Sequence, residues 1–420
     1  MEKSILKIGI IGLGTVGTGV VKTLKKFDNI KILKAAVKNI NKKRDVSLDY
    51  ITDDPYEIAN DPEINVVVEV AGGVNPCLDV LKTAIKNKKH IVTANKELLA
   101  KFGDEIFNLA NENNVTVLYE AAVAGGIPII GPIKTTLRGN EFDKVAGILN
   151  GTTNYILTKM ESDNLSYEDC LKQAQALGYA ETDPTNDVEG FDTMFKTAIL
   201  ANIVFHKKID LNKIYREGIT KISIDDIKCA KEFGYKIKLM GIAKRIKNSE
   251  ALDIRVHPVL VSEKSMVSGI NNATNTVLLE GHPVGEIMFT GPGAGEAPTA
   301  SSVVGDILAI ASEISYTDTV LPYSRVKPEE DAIQEDILNT KNSYYISINA
   351  QNARGTIGSI GTICAQNNIN LQSVIQKGIK EDNTAQIIVI TETSLEADIQ
   401  NALNEFKNQN IKVTNLIRVI

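Results

Sequence analysis

Cysteine, histidine and long apolar runs are all scarce in this chain of 420 residues. Cys77, Cys170, Cys229 and Cys364 stand far apart, with no CxxC pair. That excludes a disulfide framework and implies a reducing compartment. His90, His206, His257 and His282 are equally scattered, so no local His/Cys cluster has metal-binding spacing. No stretch reaches the ~18 apolar residues of a membrane span. The amino terminus, MEKSILKIGIIGLG, is broken by glycines and lacks the small-residue cleavage pattern of a signal peptide. A cytoplasmic protein with no membrane partner is expected. Positive charge is not in excess either: 46 Lys and Arg against 52 Asp and Glu leave a net charge of -6, which argues against a dedicated nucleic-acid binder. With 43% hydrophobic and 23% charged residues, the chain has the composition of a globular protein. Its length predicts about two to four domains.

What is present begins with a nucleotide-binding pattern. ILKIGII, residues 5–11, reads as a buried strand, and Gly12, Leu13, Gly14, Thr15, Val16 and Gly17 supply GxGxxG before a helical segment. Gly12 permits the tight turn, Gly14 lets backbone approach a pyrophosphate, and Gly17 lets helix and strand pack closely. The helix amino terminus offers N–H groups and a favourable dipole to phosphate. The second strand ends near Val37, where NAD-selective sites usually place an acid. Lys38 and Asn39 stand there instead, followed by Lys42, Lys43 and Arg44. A basic turn formed by Lys38, Lys43 and Arg44 suits a 2′-phosphate and favours NADP(H) over NAD(H); a solvated lysine-rich loop is the alternative.

Further strand and helix units follow in NVVVEVAGG, KHIVTANKELLAKFG and VTVLYEAAVAGGIPII. Their repetition predicts an α/β, mostly parallel, doubly wound sheet of the Rossmann type. Ligands bind such a sheet beyond the carboxyl ends of its strands, which brings Gly72, Gly73, Thr93, Ala94, Asn95 and Lys96 around one crevice. A cation is disfavoured in the first turn of a helix, so Lys96 there calls for a neighbouring anion; a plain surface lysine is the other reading.

The middle segment changes pattern. In VAGILNGTTNYILTKM a strand turns into a helix at residues 151–154, where Asn150, Gly151, Thr152, Thr153 and Asn154 either cap the helix or contact a ligand. ALGYAETDPTNDVEGFDTMFKTAILANIVF is dense in carboxylates (Glu181, Asp183, Asp187, Glu189 and Asp192) and then becomes an apolar helix. Asp192 and Lys196 are four apart and share a face of that helix. A hydride-transfer site needs an acid/base group. Lysine with neighbouring acids suits an amino-acid-like substrate, the acids holding an ammonium and the lysine reaching an oxygen. A loop of solvated acids with one ordinary ion pair is the alternative.

The motifs GLGTVGTGV, TANKELLA, YEAAVAGGIPII, GILNGTTNYIL, GYAETDPTNDVEGFDT and GPGAGEAPTASSVVGD resemble homoserine dehydrogenase over essentially the whole chain. The resemblance implies NADPH- or NADH-dependent interconversion of L-aspartate 4-semialdehyde and L-homoserine, on the route to threonine, methionine and isoleucine. It implies Lys196 as the acid/base lysine, Lys96 as a second active-site lysine, and Asp192 orienting Lys196. Glu181 would bind the substrate amino group, with Asp187 and Asp192 on the substrate side and Gly151 and Thr152 beside them. It further implies a monovalent cation, typically sodium, on backbone carbonyls of Glu120, Val123, Gly125 and Ile127. Cofactor contacts would extend to Gly293 and Gly295, whose following helix returns to the nucleotide domain. The implied layout is a Rossmann domain over 1–133, an α+β substrate and dimerisation domain over 134–321, a linker over 322–342 and a regulatory tail over 343–420, in a protein that self-associates as a homodimer or homotetramer.

The tail reads strand, helix, strand, strand, helix, strand, which is the ferredoxin-like order, and it resembles an ACT regulatory domain. Its ligand turn would be NARG, residues 352–355, where Asn352 and Arg354 replace an acid and a proline of the more usual pattern. An amino-acid effector such as threonine, or a role in assembly, follows from the resemblance. Another Rossmann-fold semialdehyde or hydroxy-acid dehydrogenase would share the nucleotide unit but not the later motifs. A catalytically silent cofactor sensor would not need Lys196, Asp192 and Glu181 intact.

Overall fold

Leu6–Ile11 (β1) is apolar on both faces, as a central parallel strand requires. Ile8 and Ile10 are fully buried, and a Cβ on Gly9 would lie 2.4 Å from Ile58. The computed structural model describes residues 5–316, 330–379 and 381–420. Ile30–Ala36 (β2), Ile51–Thr52 (β3), Val66–Glu69 (β4), His90–Thr93 (β5) and Val117–Leu118 (β6) join β1 in a parallel sheet of order β3-β2-β1-β4-β5-β6. The order reverses between β1 and β4, so a ligand crevice opens at their carboxyl ends.

The described residues form two compact units that interleave along the sequence. The first holds the residues up to Gly151, then Asp192–Asn212, then those from Thr274 to Ala332. Besides the parallel sheet it contains an antiparallel set, Gly285–Pro292, Thr274–His282 and Glu141–Ile148 in that order. The helix Glu296–Tyr316 comes from late in the chain yet packs on the first nucleotide-fold helix, Thr15–Leu24 (α1). Ala300, Val303, Val304, Ile307 and Ile310 share one core with Ile8, Ile10, Val20 and Leu24. A Cβ on Gly19 would meet the Glu296 carbonyl at 2.7 Å, so this glycine sets the helix spacing.

The second unit holds residues 152–191, 213–273 and 333–420. Its sheet runs Tyr235–Arg245, Leu252–Ser262, Lys412–Val419, Lys341–Gln351, Thr384–Thr391, Leu371–Ile379. The last four strands, with helices Thr356–Gln366 and Glu396–Asn408, are the tail. Their spatial order of fourth, first, third, second strand is that of the ferredoxin-like fold, around a core of Tyr344, Ile346, Ile348, Ile360, Val389, Ile399 and Phe406.

The tail is less separate than its sequence suggests. Its final strand adds to Leu252–Ser262 in parallel, through Val259 to Arg418 and Leu260 to Val419. An edge strand as buried as Leu252–Ser262 needs such a partner. Polar links follow: Arg255 Nη2 donates to Asn342 Oδ1 at 2.8 Å, and Tyr345 Oη donates to Asp226 Oδ1 at 3.0 Å. Of the expected linker, 322–329 lies outside the described residues. Glu330–Asp331 pairs with Lys207–Lys208, and the Leu252 N–H donates to the Ile333 carbonyl at 2.8 Å. The strand Tyr235–Arg245 was not separately marked by the sequence pattern.

Candidate active site

The helix Phe191–Phe205 buries nearly every side chain, including Asp192 and Lys196 in its first turns. Their spacing of one helical turn brings Lys196 Nζ to 2.6 Å from Asp192 Oδ2. The loop before the helix Gly151–Asp163 supplies two more partners. Lys196 Nζ donates to the Leu149 carbonyl at 2.8 Å, and Asn150 Nδ2 donates to Asp192 Oδ2 at 2.9 Å. The other Asp192 oxygen, Oδ1, lies 3.0 Å from Lys96 Nζ. One carboxylate thus bridges two ammonium groups. Burial alone would push the Asp192 carboxyl up, but the charges of Lys196 and Lys96 and the bonds from Lys196 and Asn150 outweigh it. They hold the group well below the usual carboxylate range. Such an arrangement holds the Lys196 ammonium in one orientation.

Lys96 owes its position to the crevice. It opens the helix Lys96–Asn113, whose Asn95 cap accepts from the Leu98 N–H at 3.1 Å. Asn95 Nδ2 donates to the Gly73 carbonyl at 2.6 Å, tying this turn to the one after β4. Beneath them lies Glu69, wholly buried at the end of β4. It accepts from Thr93 Oγ1 at 2.7 Å and from the N–H groups of Ala71 and Gly72 at 3.0 and 3.1 Å. The anion that Lys96 calls for in the first turn of a helix is Asp192. Gly72, Thr93, Asn95 and Lys96 are therefore brought together, and Glu69 is one residue that sequence reasoning missed. Its only signal was an acid closing the run VVVE.

The glycine fingerprint is ready for a dinucleotide. Gly12 has φ +101°, and a Cβ on Gly17 would fall 2.0 Å from the Gly12 carbonyl. A Cβ on Gly14 would meet nothing within 4 Å, so the approach to the backbone there is open. Gly14 caps α1 without a side-chain hydrogen bond, which leaves the first-turn N–H groups for a phosphate. In the basic turn Lys38 and Lys43 are exposed. Arg44 instead folds onto its own loop, donating to the carbonyls of Asn39 and Lys42 at 2.7 Å each. Gly295 has φ +121°, and Gly293 packs so closely on buried Asn275 that a Cβ would lie 1.9 Å from its Nδ2. Neither amide atom of Asn275 finds a partner among the described residues, which fits a polar group of a bound ligand. Nothing in the sequence pointed to Asn275.

Glu181 is exposed in the second unit, and Asp187 is half-buried in the short helix Thr185–Val188. Thr152 spends its hydroxyl on the Tyr179 carbonyl at 2.6 Å. Glu120 directs its side chain to the N–H groups of Ile129, Ile130 and Gly131. Residues 123–127 curl through positive φ at Ala124 and Gly125, and Ser302 Oγ donates to the Gly125 carbonyl at 2.7 Å. The cysteines are unsuited to nucleophilic chemistry. Burial pushes the Cys77 thiol up to about 12 and those of Cys170 and Cys364 up to about 11.

Comparison with known proteins matches three family models: "Homoserine dehydrogenase, NAD binding domain" over residues 12–120, "Homoserine dehydrogenase" over 128–308, and "ACT domain" over 344–409. A curated homoserine dehydrogenase from Synechocystis is 39% identical, with 99% of each chain covered. The chain belongs to the homoserine dehydrogenase family. The Bacillus subtilis homoserine dehydrogenase is 37% identical, covering 96% of this chain and 95% of its own. A crystal structure of a homoserine dehydrogenase from Thiobacillus denitrificans superposes with a TM-score of 0.92 at 35% identity, covering 99% of this chain and 98% of that one. This family member is an NAD(P)-dependent oxidoreductase with homoserine dehydrogenase activity in amino-acid biosynthesis, and it carries an ACT domain. Among the described residues no helix is long and apolar enough to cross a membrane.

Proposed function

We propose that Lys196 is the proton donor in the reduction of L-aspartate 4-semialdehyde to L-homoserine, and the acceptor in reverse. The single observation behind this reading is the bridge from Lys196 through Asp192 to Lys96. NAD(P)H, when bound, supplies the hydride that reaches the aldehyde carbon. Lys196 gives its proton to the aldehyde oxygen as that carbon is reduced, and the C=O bond becomes a C–OH bond. Asp192, the Leu149 carbonyl and Asn150 keep the ammonium aimed; Lys96 adds positive charge where the oxygen gains electron density. Glu181 and Asp187 hold the substrate ammonium. The first N–H groups of the Gly151–Asp163 helix, at Gly151 and Thr152, face the substrate carboxylate, since the Thr152 hydroxyl is already committed.

The dinucleotide lies on Gly12, Leu13, Gly14, Thr15, Val16 and Gly17, with Gly72, Thr93, Asn95, Gly293 and Gly295 lining the crevice. Lys38 and Lys43 take the 2′-phosphate and favour NADP(H), with Arg44 bracing their turn. Carbonyls of Glu120, Val123, Gly125 and Ile127 would hold a monovalent cation such as sodium; the Gly125 oxygen accepts one bond from Ser302 Oγ and keeps a second lone pair. The domain limits follow the sequence layout. The protein works in the cytoplasm as a homodimer or homotetramer, and its tail answers to an amino-acid effector.

The test is a steady-state assay with aspartate semialdehyde and either cofactor, run on the native chain, Glu181→Gln and Asp187→Asn. The expected result is turnover in the native chain, with a raised KM for semialdehyde and an unchanged KM for cofactor in both variants. Unchanged semialdehyde KM in both would remove these acids from the substrate site.

A further inference from the structure

Arg418, near the end of the last strand, has no exposed surface, and neither has Glu396. Its Nε and Nη2 donate to the two Glu396 oxygens at 2.8 and 2.7 Å. Two further bonds leave the tail. Nη1 donates to Glu217 Oε1 at 3.2 Å and Nη2 to Tyr215 Oη at 3.0 Å, while the guanidinium lies 4.6 Å over the Tyr215 ring. Tyr215 Oη donates in turn to Glu217 Oε1. A buried ion pair adds little net stability compared with an apolar replacement, so its value lies in the geometry it imposes.

That geometry continues along residues 215–220. The strand Tyr215–Arg216 pairs with Arg255 and Val256, and the Glu217 N–H donates to the Val256 carbonyl at 2.8 Å. Arg216 donates from Nη1 to the Glu189 carbonyl and stacks 3.6 Å over the Phe191 ring. The Ile219 N–H donates to the Val188 carbonyl at 2.8 Å, and Thr220 Oγ1 to Glu189 Oε1 at 3.0 Å. Contact this close needs Gly218, where a Cβ would lie 2.3 Å from the Val188 carbonyl. A strap therefore runs from a tail arginine to the stretch that begins with Asp187 and leads into the helix of Asp192.

We propose that Arg216 and Arg418 are positioning residues for the substrate acid Asp187: Arg418 fixes Glu217 and Tyr215, and Arg216 fixes residues 187–191. The inference rests on the reading of Asp187 as a substrate-binding acid. It makes the tail part of the substrate site's support, whatever effector the tail binds.

The test measures KM and kcat separately for Arg216→Met, Glu217→Gln, Arg418→Met and the double variant Arg216→Met with Glu217→Gln, with Asp187→Asn alongside. Each single variant is expected to raise the semialdehyde KM roughly 3- to 30-fold while NADPH KM and kcat stay within about two-fold, and the double variant to be no worse than one single. Glu217→Gln keeps the Arg418–Glu396 pair, so it reports even if Arg418→Met fails to fold. Folded variants with an unchanged semialdehyde KM, or with losses that simply multiply, would overturn the inference. If Asp187→Asn also leaves KM unmoved, the substrate reading itself has failed; if it raises KM while the strap variants do not, the inference alone has failed.

Discussion

Lys196 Nζ lies 2.6 Å from Asp192 Oδ2, one helical turn away in a helix that buries almost all its other side chains. Neither group can move without disturbing packing, and neither can be removed without leaving a buried charge. Asp192→Asn would keep the shape and the bond from Asn150 in altered form but lose the charge facing both lysines. We expect turnover to fall while NADPH still binds, as read by stopped assays and by cofactor fluorescence.

The same carboxylate gives a pH signature. Its folded value lies below its unfolded value of about 3.9. The stability it contributes is therefore complete above about pH 4 and is lost as pH falls through the folded value. Melting midpoints of the native chain and Asp192→Asn should differ by a constant amount from neutral pH down to about pH 5, then converge in stronger acid. A gap that widens on acidification would reverse the assignment of sign.

Cofactor choice should follow Lys38 and Lys43, not Arg44. Replacing both lysines with Gln is expected to lower efficiency with NADPH by about 2- to 30-fold and to leave NADH little changed, because each exposed charge pair contributes about 0.2–1 kcal/mol. Arg44→Met should impair both cofactors alike, since its guanidinium braces the turn through carbonyls.

Removal of the tail should be costly. A chain ending at Lys341 would bare the edge of Leu252–Ser262 and strip Asp226 of its bonds from Tyr345 and Asn415. Each such bond to a charged carboxylate contributes about 1.5–3 kcal/mol. The expected product melts well below the intact protein or aggregates; a truncated chain with an unchanged midpoint would show that these links contribute nothing.

Much of this was legible in the residues. The parallel sheet followed from apolar runs ending in glycine turns, and the tail's six elements from alternating periodicity. Asp192 and Lys196 were paired by spacing alone, because a helix fixes what lies four residues away. Spacing could not show that Lys96 reaches the same carboxylate, since 96 residues separate it from Asp192 and only the fold closes that distance. Glu69 and Asn275 were invisible for a related reason: burial decides their roles, and a single acid or amide carries no periodicity. The tail looked detachable because a polar linker precedes it. Strand addition at Val259 and Leu260 depends on register between distant strands, which no local pattern encodes.

The central claim, that Lys196 moves the proton, is tested most directly by single-turnover reduction of aspartate semialdehyde by NADPH already bound to Lys196→Ala. The account predicts a chemical step slower by about 100- to 10,000-fold with cofactor affinity intact. A single-turnover rate close to that of the native chain would contradict it.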